Sequence, residues 1–335
     1  MNKITNNKIF KRIIITIIIF IILIITATIA IGNYFVNYAI ARSGNGGDRK
    51  IKNENTVVEV STEAENTIDK NKEEAEEKAQ EWSKQVESKS VDIKANDGVT
   101  LRGNEYINNN ETNNWIIVLH GYRSTPKSVL PIGQKFYENG YNVLVPSMRG
   151  CDESDGQYIG MGWLDKEDLK NWISLITEEN PKANIILHGS SMGAATVIMT
   201  SGDELPSNVK AIIEDSGYTS VWDIFASEAK ARFNLPAFPV LNMFEIVANF
   251  RAGYDIKQAS ALEQVKKSKT PILFIHGTED DFVPEYMCEK LYDAATCEKD
   301  KLIIEGAGHC ESKYKESEKY YNKVFEFANK YIKNI

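Results

Sequence analysis

Asn184-Ile185-Ile186-Leu187-His188-Gly189-Ser190-Ser191-Met192-Gly193-Ala194-Ala195-Thr196-Val197-Ile198-Met199-Thr200 is the stretch whose reading decides the fold. The apolar run Ile185 to Leu187 reads as a buried strand, and the small and aliphatic run Ala194 to Met199 as a helix packed closely on it. Between them lies Gly189-Ser190-Ser191-Met192-Gly193, the pattern Gly-x-Ser-x-Gly. A serine on a sharp strand-to-helix turn has a strained backbone, and glycines two residues either side permit the close approach. Such a turn lifts the Ser191 hydroxyl above the sheet and sets the backbone N–H of Met192, at a helix N-terminus, where an oxyanion would develop. The competing reading is a tight turn whose serine merely caps the helix.

Strands alternate with helices on both sides of this stretch. Trp115 to Leu119, Tyr141 to Val145, Val209 to Ile213, Pro271 to Ile275 and Leu302 to Ile304 read as further strands. Helices are expected over roughly Asp165 to Thr177 and Glu316 to Ile332. Asn96-Asp97-Gly98 between alternating segments predicts an opening hairpin within Val91 to Ile107. The fold class is therefore α/β, with a mostly parallel central sheet covered by helices on both faces. From Val221 to about Asp255 the alternation breaks into a helical, aromatic-rich segment divided by Pro236 and Pro239. It reads either as core helices or as a small cap over the carboxyl ends of the strands, where ligands bind in open α/β sheets. A cap holding Phe238 and Phe244 would favour short to medium uncharged acyl groups, since an unpaired charge there is costly to bury.

A serine hydroxyl needs a base to take its proton, and the base needs an acid to fix its tautomer. The chain has four histidines. His120, His188 and His276 each precede a glycine at a strand end and are expected to make structural hydrogen bonds. His309 lies in a loop after the last strand and is the candidate base. Asp280, in the loop after the penultimate strand, is the candidate acid, with Asp215 as the alternative. The backbone N–H of Tyr122, after the first central strand, is the expected partner of Met192 in an oxyanion hole.

Leu119-His120-Gly121-Tyr122, Arg149-Gly150, Gly189 to Gly193, His276-Gly277-Thr278-Glu279-Asp280 with Val283-Pro284, and Gly306-Ala307-Gly308-His309 occur in that order. From about Val91 onward the chain thereby resembles an α/β-hydrolase of the serine-esterase and prolyl-oligopeptidase-like (dienelactone-hydrolase-like) group. The resemblance implies Ser191 as nucleophile, Asp280 as acid, His309 as base, and Tyr122 with Met192 as oxyanion donors. It implies a serine hydrolase acting on an acyl bond, with no cofactor. A peptidase of the same group and a non-catalytic binding module on the same fold are the alternatives. The sequence departs from many relatives at Ser147, where they carry aspartate, and at Cys151-Asp152, so this loop needs a different anchor.

The N-terminal third is of another kind. Residues 1 to 12 hold Lys3, Lys8, Lys11 and Arg12 with no acid, and no charge occurs from Ile13 to Ala41. That length suits one bilayer crossing, and Tyr34, Phe35 and Tyr38 suit an interfacial belt. The expected organisation is a basic flank (1–12), a transmembrane signal-anchor helix (13–35), a linker and charged helix (43–90) and the hydrolase domain (91–335, with a cap at about 221–255). A cleaved signal peptide is the competing reading. The basic flank places the domain outside the cell membrane, although Arg42, Arg49 and Lys50 pull the other way. From Glu63 to Val86 an apolar stripe (Ala64, Ile68, Ala75, Ala79, Trp82, Val86) recurs at helical spacing, fit to dock on the following domain or to form a thin coiled-coil seam.

A net charge of -8 excludes an ordinary nucleic-acid partner. The expected partners are a small-molecule acyl substrate and the membrane, and the chain is expected to be a monomer. The four cysteines lack metal-ligand spacing. Cys288 and Cys297 are the nearest pair, but a continuous helix would hold them roughly 13 Å apart, too far for a disulfide.

Overall fold

The computed structural model describes residues 2–44, 46 and 63–332. Eight strands form one sheet: β1 (Ser88–Lys94), β2 (Thr100–Tyr106), β3 (Asn114–Leu119), β4 (Asn142–Pro146), β5 (Asn184–Ser190), β6 (Val209–Asp215), β7 (Ile272–Gly277) and β8 (Lys299–Ile304). Their spatial order is β1-β2-β4-β3-β5-β6-β7-β8. The β1–β2 hairpin turns at Asn96-Asp97-Gly98 and joins the sheet antiparallel, and β4 through β8 run parallel. The described helices are α1 (Asn2–Phe35), α2 (Glu63–Gln85), α3 (Leu130–Glu138), α4 (Asp165–Glu179), α5 (Met192–Ser201), α6 (Val221–Phe233), α7 (Ala237–Ala252), α8 (Ala261–Val265), α9 (Tyr286–Ala294), α10 (Ser312–Lys315) and α11 (Ser317–Ile332).

The period of a strand sorts its side chains to opposite faces. On β3, Trp115, Ile117 and Leu119 join a core shared with α4, α5, α8 and α9, whereas Ile116 and Val118 join one shared with α2, α3 and α11. Such double burial is what a near-continuous apolar run in a parallel strand requires. Every residue of α5 is buried. It lies so close to β3 that a Cβ on Gly193 would sit 2.4 Å from the Leu119 carbonyl oxygen.

Packing does not stop at the expected domain boundary near residue 91. Helix α2 docks its stripe on the sheet's helical layer, with Ala79 and Trp82 buried and the Trp82 ring 4.9 Å from that of Tyr106. Asn71 Nδ2 donates to the Tyr314 carbonyl at 3.0 Å. Of the stripe, Ile68, Ala79 and Trp82 are thus buried within their own chain.

A second difference concerns the anchor. Helix α1 continues into a π-helical turn, Val36–Ile40, whose Val36 and Ile40 are fully buried in the core. Ile159 N–H donates to Ile40 O at 2.8 Å, and Arg42 Nη1 to Ser154 O at 2.6 Å. The apolar helix therefore ends inside the domain instead of in a linker beginning at Ser43. The rest of the expected linker, residues 45 and 47–62, lies outside the described residues. The large apolar side chains from Ile9 to Ile29 are exposed, and α1 is the one described helix long and apolar enough to cross a membrane.

The Ser147 loop is held by Arg149, which donates to Asp168 at 2.9 and 2.6 Å and to Asp97 at 2.5 Å. All four cysteines are free thiols. Helix α9 ends at Ala294, before Cys297, so no continuous helix joins Cys288 to Cys297.

Candidate active site

The turn between β5 and α5 gives Ser191 φ 56° and ψ −114°, a strained conformation for a side chain with a Cβ. A Cβ on Gly189 would lie 2.1 Å from the Gly193 carbonyl oxygen, so the turn closes only with glycine there. Backbone bonds hold the strain: Ser191 N–H donates to Asp215 O at 2.8 Å, and Ala195 N–H to Ser191 O at 3.0 Å. The Ser191 side chain makes no capping bond to α5. Its Oγ lies 2.8 Å from His309 Nε2 instead, which removes the helix-cap reading.

His309 Nδ1 lies 2.7 Å from Asp280 Oδ2, so Nδ1 donates and Nε2 is free to accept from the serine. Asp280 is fixed from the other side. Its Oδ1 accepts the N–H groups of Phe282 (3.0 Å) and Val283 (2.7 Å), and His276 Nε2 lies 3.3 Å from its Oδ2. Burial pushes the Asp280 carboxyl up, but the His309 and His276 imidazoles outweigh it and hold the pKa below the carboxylate range. Burial pulls His309 down, and the adjoining Cys310 sulfur and Asp280 carboxylate more than reverse this, so its pKa is raised.

The other histidines are structural. His120 accepts from Met148 N–H at 3.0 Å through Nε2 and lies 2.8 Å from Gly121 O through Nδ1; burial lowers its pKa to about 4. His188 Nε2 lies 2.9 Å from the Tyr320 hydroxyl, which in turn donates to Asp215 Oδ2 at 3.1 Å. Asp215, the alternative acid, thus anchors a buried network and not the imidazole of His309. Through Ser216, whose Oγ donates to Asp215 Oδ1 (3.2 Å) and accepts the Cys310 N–H (3.2 Å), it also steadies the loop carrying His309.

Met192 opens α5, so its N–H has no intrahelical acceptor. Gly121 lies against the serine, since a Cβ there would be 3.3 Å from Ser191 Cβ; this brings the start of Tyr122 beside the nucleophile. The Tyr122 ring has a further task. Its hydroxyl donates to the Ala39 carbonyl, and Arg123 donates to Ala41 O at 2.7 Å and Arg42 O at 3.2 Å. The loop expected to supply an oxyanion donor therefore also clasps the end of the membrane-type helix.

Two spaces meet at Ser191. One is apolar, walled by Phe35 and Tyr38 from the N-terminal helix and by Phe225, Phe233, Leu241 and Phe244 from α6 and α7. The other is polar, bordered by Lys72 and Glu76 of α2, Ser124, His309 and Lys313. Tyr122 and Phe282 line both. Helices α6 and α7 occupy the segment where a cap is expected, 221–255, and Phe244 faces the apolar space, whereas Phe238 is 76% exposed and does not. The wall residues Phe35 and Tyr38, and Cys310 with its Sγ 3.8 Å from His309 Nε2, escaped sequence reasoning. A cysteine adjoining the candidate base was the one available signal for Cys310.

The model of the prolyl oligopeptidase family matches residues 132–334, more than half of the chain. The uncharacterized protein YqkD of Bacillus subtilis is 29% identical over 246 residues, covering 73% of this chain and 80% of its own. An uncharacterized membrane protein of Saccharomyces cerevisiae is 22% identical over 208 residues, covering 62% of this chain and 68% of its own. Among solved structures, the Pyrococcus furiosus esterase Pf2001 superimposes with a TM-score of 0.62 at 24% identity, covering 75% of this chain and 93% of the esterase. At that identity the likeness is one of fold, the α/β-hydrolase fold.

Proposed function

The chain belongs to the prolyl oligopeptidase family, and from that premise we propose that it is a membrane-anchored serine hydrolase that cleaves uncharged acyl esters through a Ser191 acyl-enzyme. One observation carries the reading: His309 Nε2 is 2.8 Å from Ser191 Oγ while its Nδ1 is 2.7 Å from Asp280 Oδ2. Ser191 Oγ attacks the acyl carbon and His309 takes its proton. The tetrahedral oxyanion is met by the N–H groups of Met192 and Tyr122. Collapse breaks the bond to the leaving oxygen, which receives the proton from His309. Water repeats the sequence, releases the acid and restores the serine. Asp280 stays ionised throughout and stabilises the imidazolium, as its lowered pKa favours.

The apolar wall supports an uncharged acyl group, because a charge facing Phe225, Leu241 and Phe244 would lose hydration without a partner. The family name favours a second reading, a peptidase, in which the polar cleft would receive a peptide. A panel of esters, thioesters and peptides offered to the full chain separates the two. Ser191→Ala tests both. Turnover should fall by about a thousandfold or more and labelling by a serine-reactive phosphonate should vanish, with the fold intact by circular dichroism. Retained turnover would refute the assignment.

The exposed α1 supports a single-pass anchor in the cell membrane, with the basic residues before Ile13 inside and the domain outside. Protease added to intact cells should digest the domain. Protection until lysis would reverse the orientation.

A further inference from the structure

Helix α7 is apolar on both sides. Leu241, Phe244, Val247 and Ala248 are buried against the domain, while Ile246 and Phe250 on the opposite side are 60% and 91% exposed, with Phe238 exposed at its start. Large apolar side chains exposed together on the outer face of a helix mark a surface that something covers. Its two charged residues are both held in place: Glu245 pairs with Lys257 at 2.5 Å, and Arg251 donates to Asn33 Oδ1 at 2.7 Å and Tyr158 at 3.1 Å. No charge of α7 therefore needs to sit among Ile246 and Phe250.

What covers this face is indicated by its neighbour. Helix α7 packs against the last turns of α1, where a Cβ on Gly32 would lie 2.5 Å from Met243 O and overlap Val247. The exposed face of α7 is thus continuous with the place where the long apolar helix enters the domain. Tyr34, exposed and stacked on Tyr38 at 6.2 Å, marks the same level. Aromatic side chains are enriched where a bilayer meets water.

We propose that α7 is an interfacial helix whose outer face, Ile246 and Phe250 with Phe238, lies in the lipid leaflet that α1 crosses, and that the site takes acyl esters resident in that leaflet. The proposal rests on the Ser191 reading above and names its substrate class. The inner face of the same helix supplies Leu241 and Phe244 to the apolar space that ends at Ser191, and α1 supplies Phe35. A lipid acyl chain entering beside α7 would meet Leu241, Phe244 and Phe35 on its way to Ser191. The polar head group is left on the side of Lys72 and Lys313. The reaction is the hydrolysis already written, with the glycerol oxygen of the lipid as the leaving oxygen, protonated by His309.

The test uses the full chain in mixed phosphatidylcholine–phosphatidylglycerol vesicles. Two substrates are compared, a fluorescent-acyl diacylglycerol ester dissolved in the bilayer and water-soluble p-nitrophenyl butyrate. The double variant Ile246→Gln and Phe250→Gln should lower kcat/KM on the bilayer ester about tenfold or more and leave p-nitrophenyl butyrate and phosphonate labelling within about twofold. Equal changes on both substrates, or none on either, would overturn the proposal. Phe250→Trp reads the seating without any activity: its added fluorescence should be quenched by doxyl-labelled lipid. Absence of quenching overturns the lipid assignment, and loss of a dimer in the glutamine variant would give the face to a second copy instead. If wild-type protein neither labels nor turns over either substrate, the Ser191 reading fails while the quenching still reports on α7.

Discussion

The two spaces that meet at Ser191 share the nucleophile, Tyr122 and Phe282 but differ in the character of their other walls. The apolar one is built from α6, α7 and the end of α1, and its ionic groups, Glu228 and Arg232, are paired at 2.6 Å. The polar one is bordered by α2 and the His309 loop, with Lys72, Glu76 and Lys313 along it. Each thus takes one wall from the chain before residue 88, outside the hydrolase sheet. The sheet positions the serine, and the N-terminal segments line the space on each side of it. An acyl group and its leaving group sit on opposite sides of the carbon that Ser191 would attack, so the proposed reaction would seat the acyl group on the apolar side and the leaving group on the polar side.

The largest effect should come from breaking what both sides share. Asp280→Asn should lower kcat about a thousandfold or more, because His309 loses the partner that fixes its tautomer. Asp215→Asn should cost far less activity and show mainly as lower thermal stability, since it disturbs the Tyr320 network. The reverse ranking in steady-state kinetics would exchange their roles. The acid limb of kcat/KM follows the same pair. His309 must be neutral to accept the serine proton and its pKa is raised, so activity should fall as pH drops through a value above 6.5. Asp280→Asn removes a carboxylate that raises it and should move the limb to lower pH. A pH–rate profile with its limb unmoved would contradict this.

Next comes the apolar side alone. Phe244 is buried edge-on to Phe225 at 5.1 Å, so Phe244→Ala should open the wall and shift preference toward longer or bulkier acyl groups by about tenfold. It should also lower stability by about 3 kcal/mol as a core truncation. Phe238→Ala, outside the space, should leave chain-length preference on soluble esters unchanged. The smallest effect belongs to the polar side. Lys72→Ala should change the ranking of anionic against neutral leaving groups by about threefold, with the acyl-length series untouched. An acyl-length series that moved with Lys72 would mean that the two sides are not separate.

The elbow was legible because its physics is local: Gly189, Ser191 and Gly193 are needed for one turn, and flanking apolar runs identify strand and helix. The order of Asp280 and His309 along the chain followed from strands that each end at the same sheet edge. The walls were not legible in the same way. Phe35 and Tyr38 follow an apolar helix, which is where an interfacial belt would lie, and nothing local reveals that Val36 and Ile40 dive into the core. Phe238 and Phe244 look alike in a segment with apolar residues on opposite sides, and only packing against α1 and α6 separates the exposed ring from the buried one. The structural role of Asp215 depends on Tyr320, more than a hundred residues away, so spacing carried no trace of it.

The most direct test is peptide mapping after labelling by two fluorophosphonates that differ only in the group on the acyl side, one a medium alkyl chain and the other the same length ending in a carboxylate. Both probes should modify Ser191 alone, with the alkyl probe reacting about tenfold faster or more. Modification at another residue, or equal rates for the two probes, would contradict it.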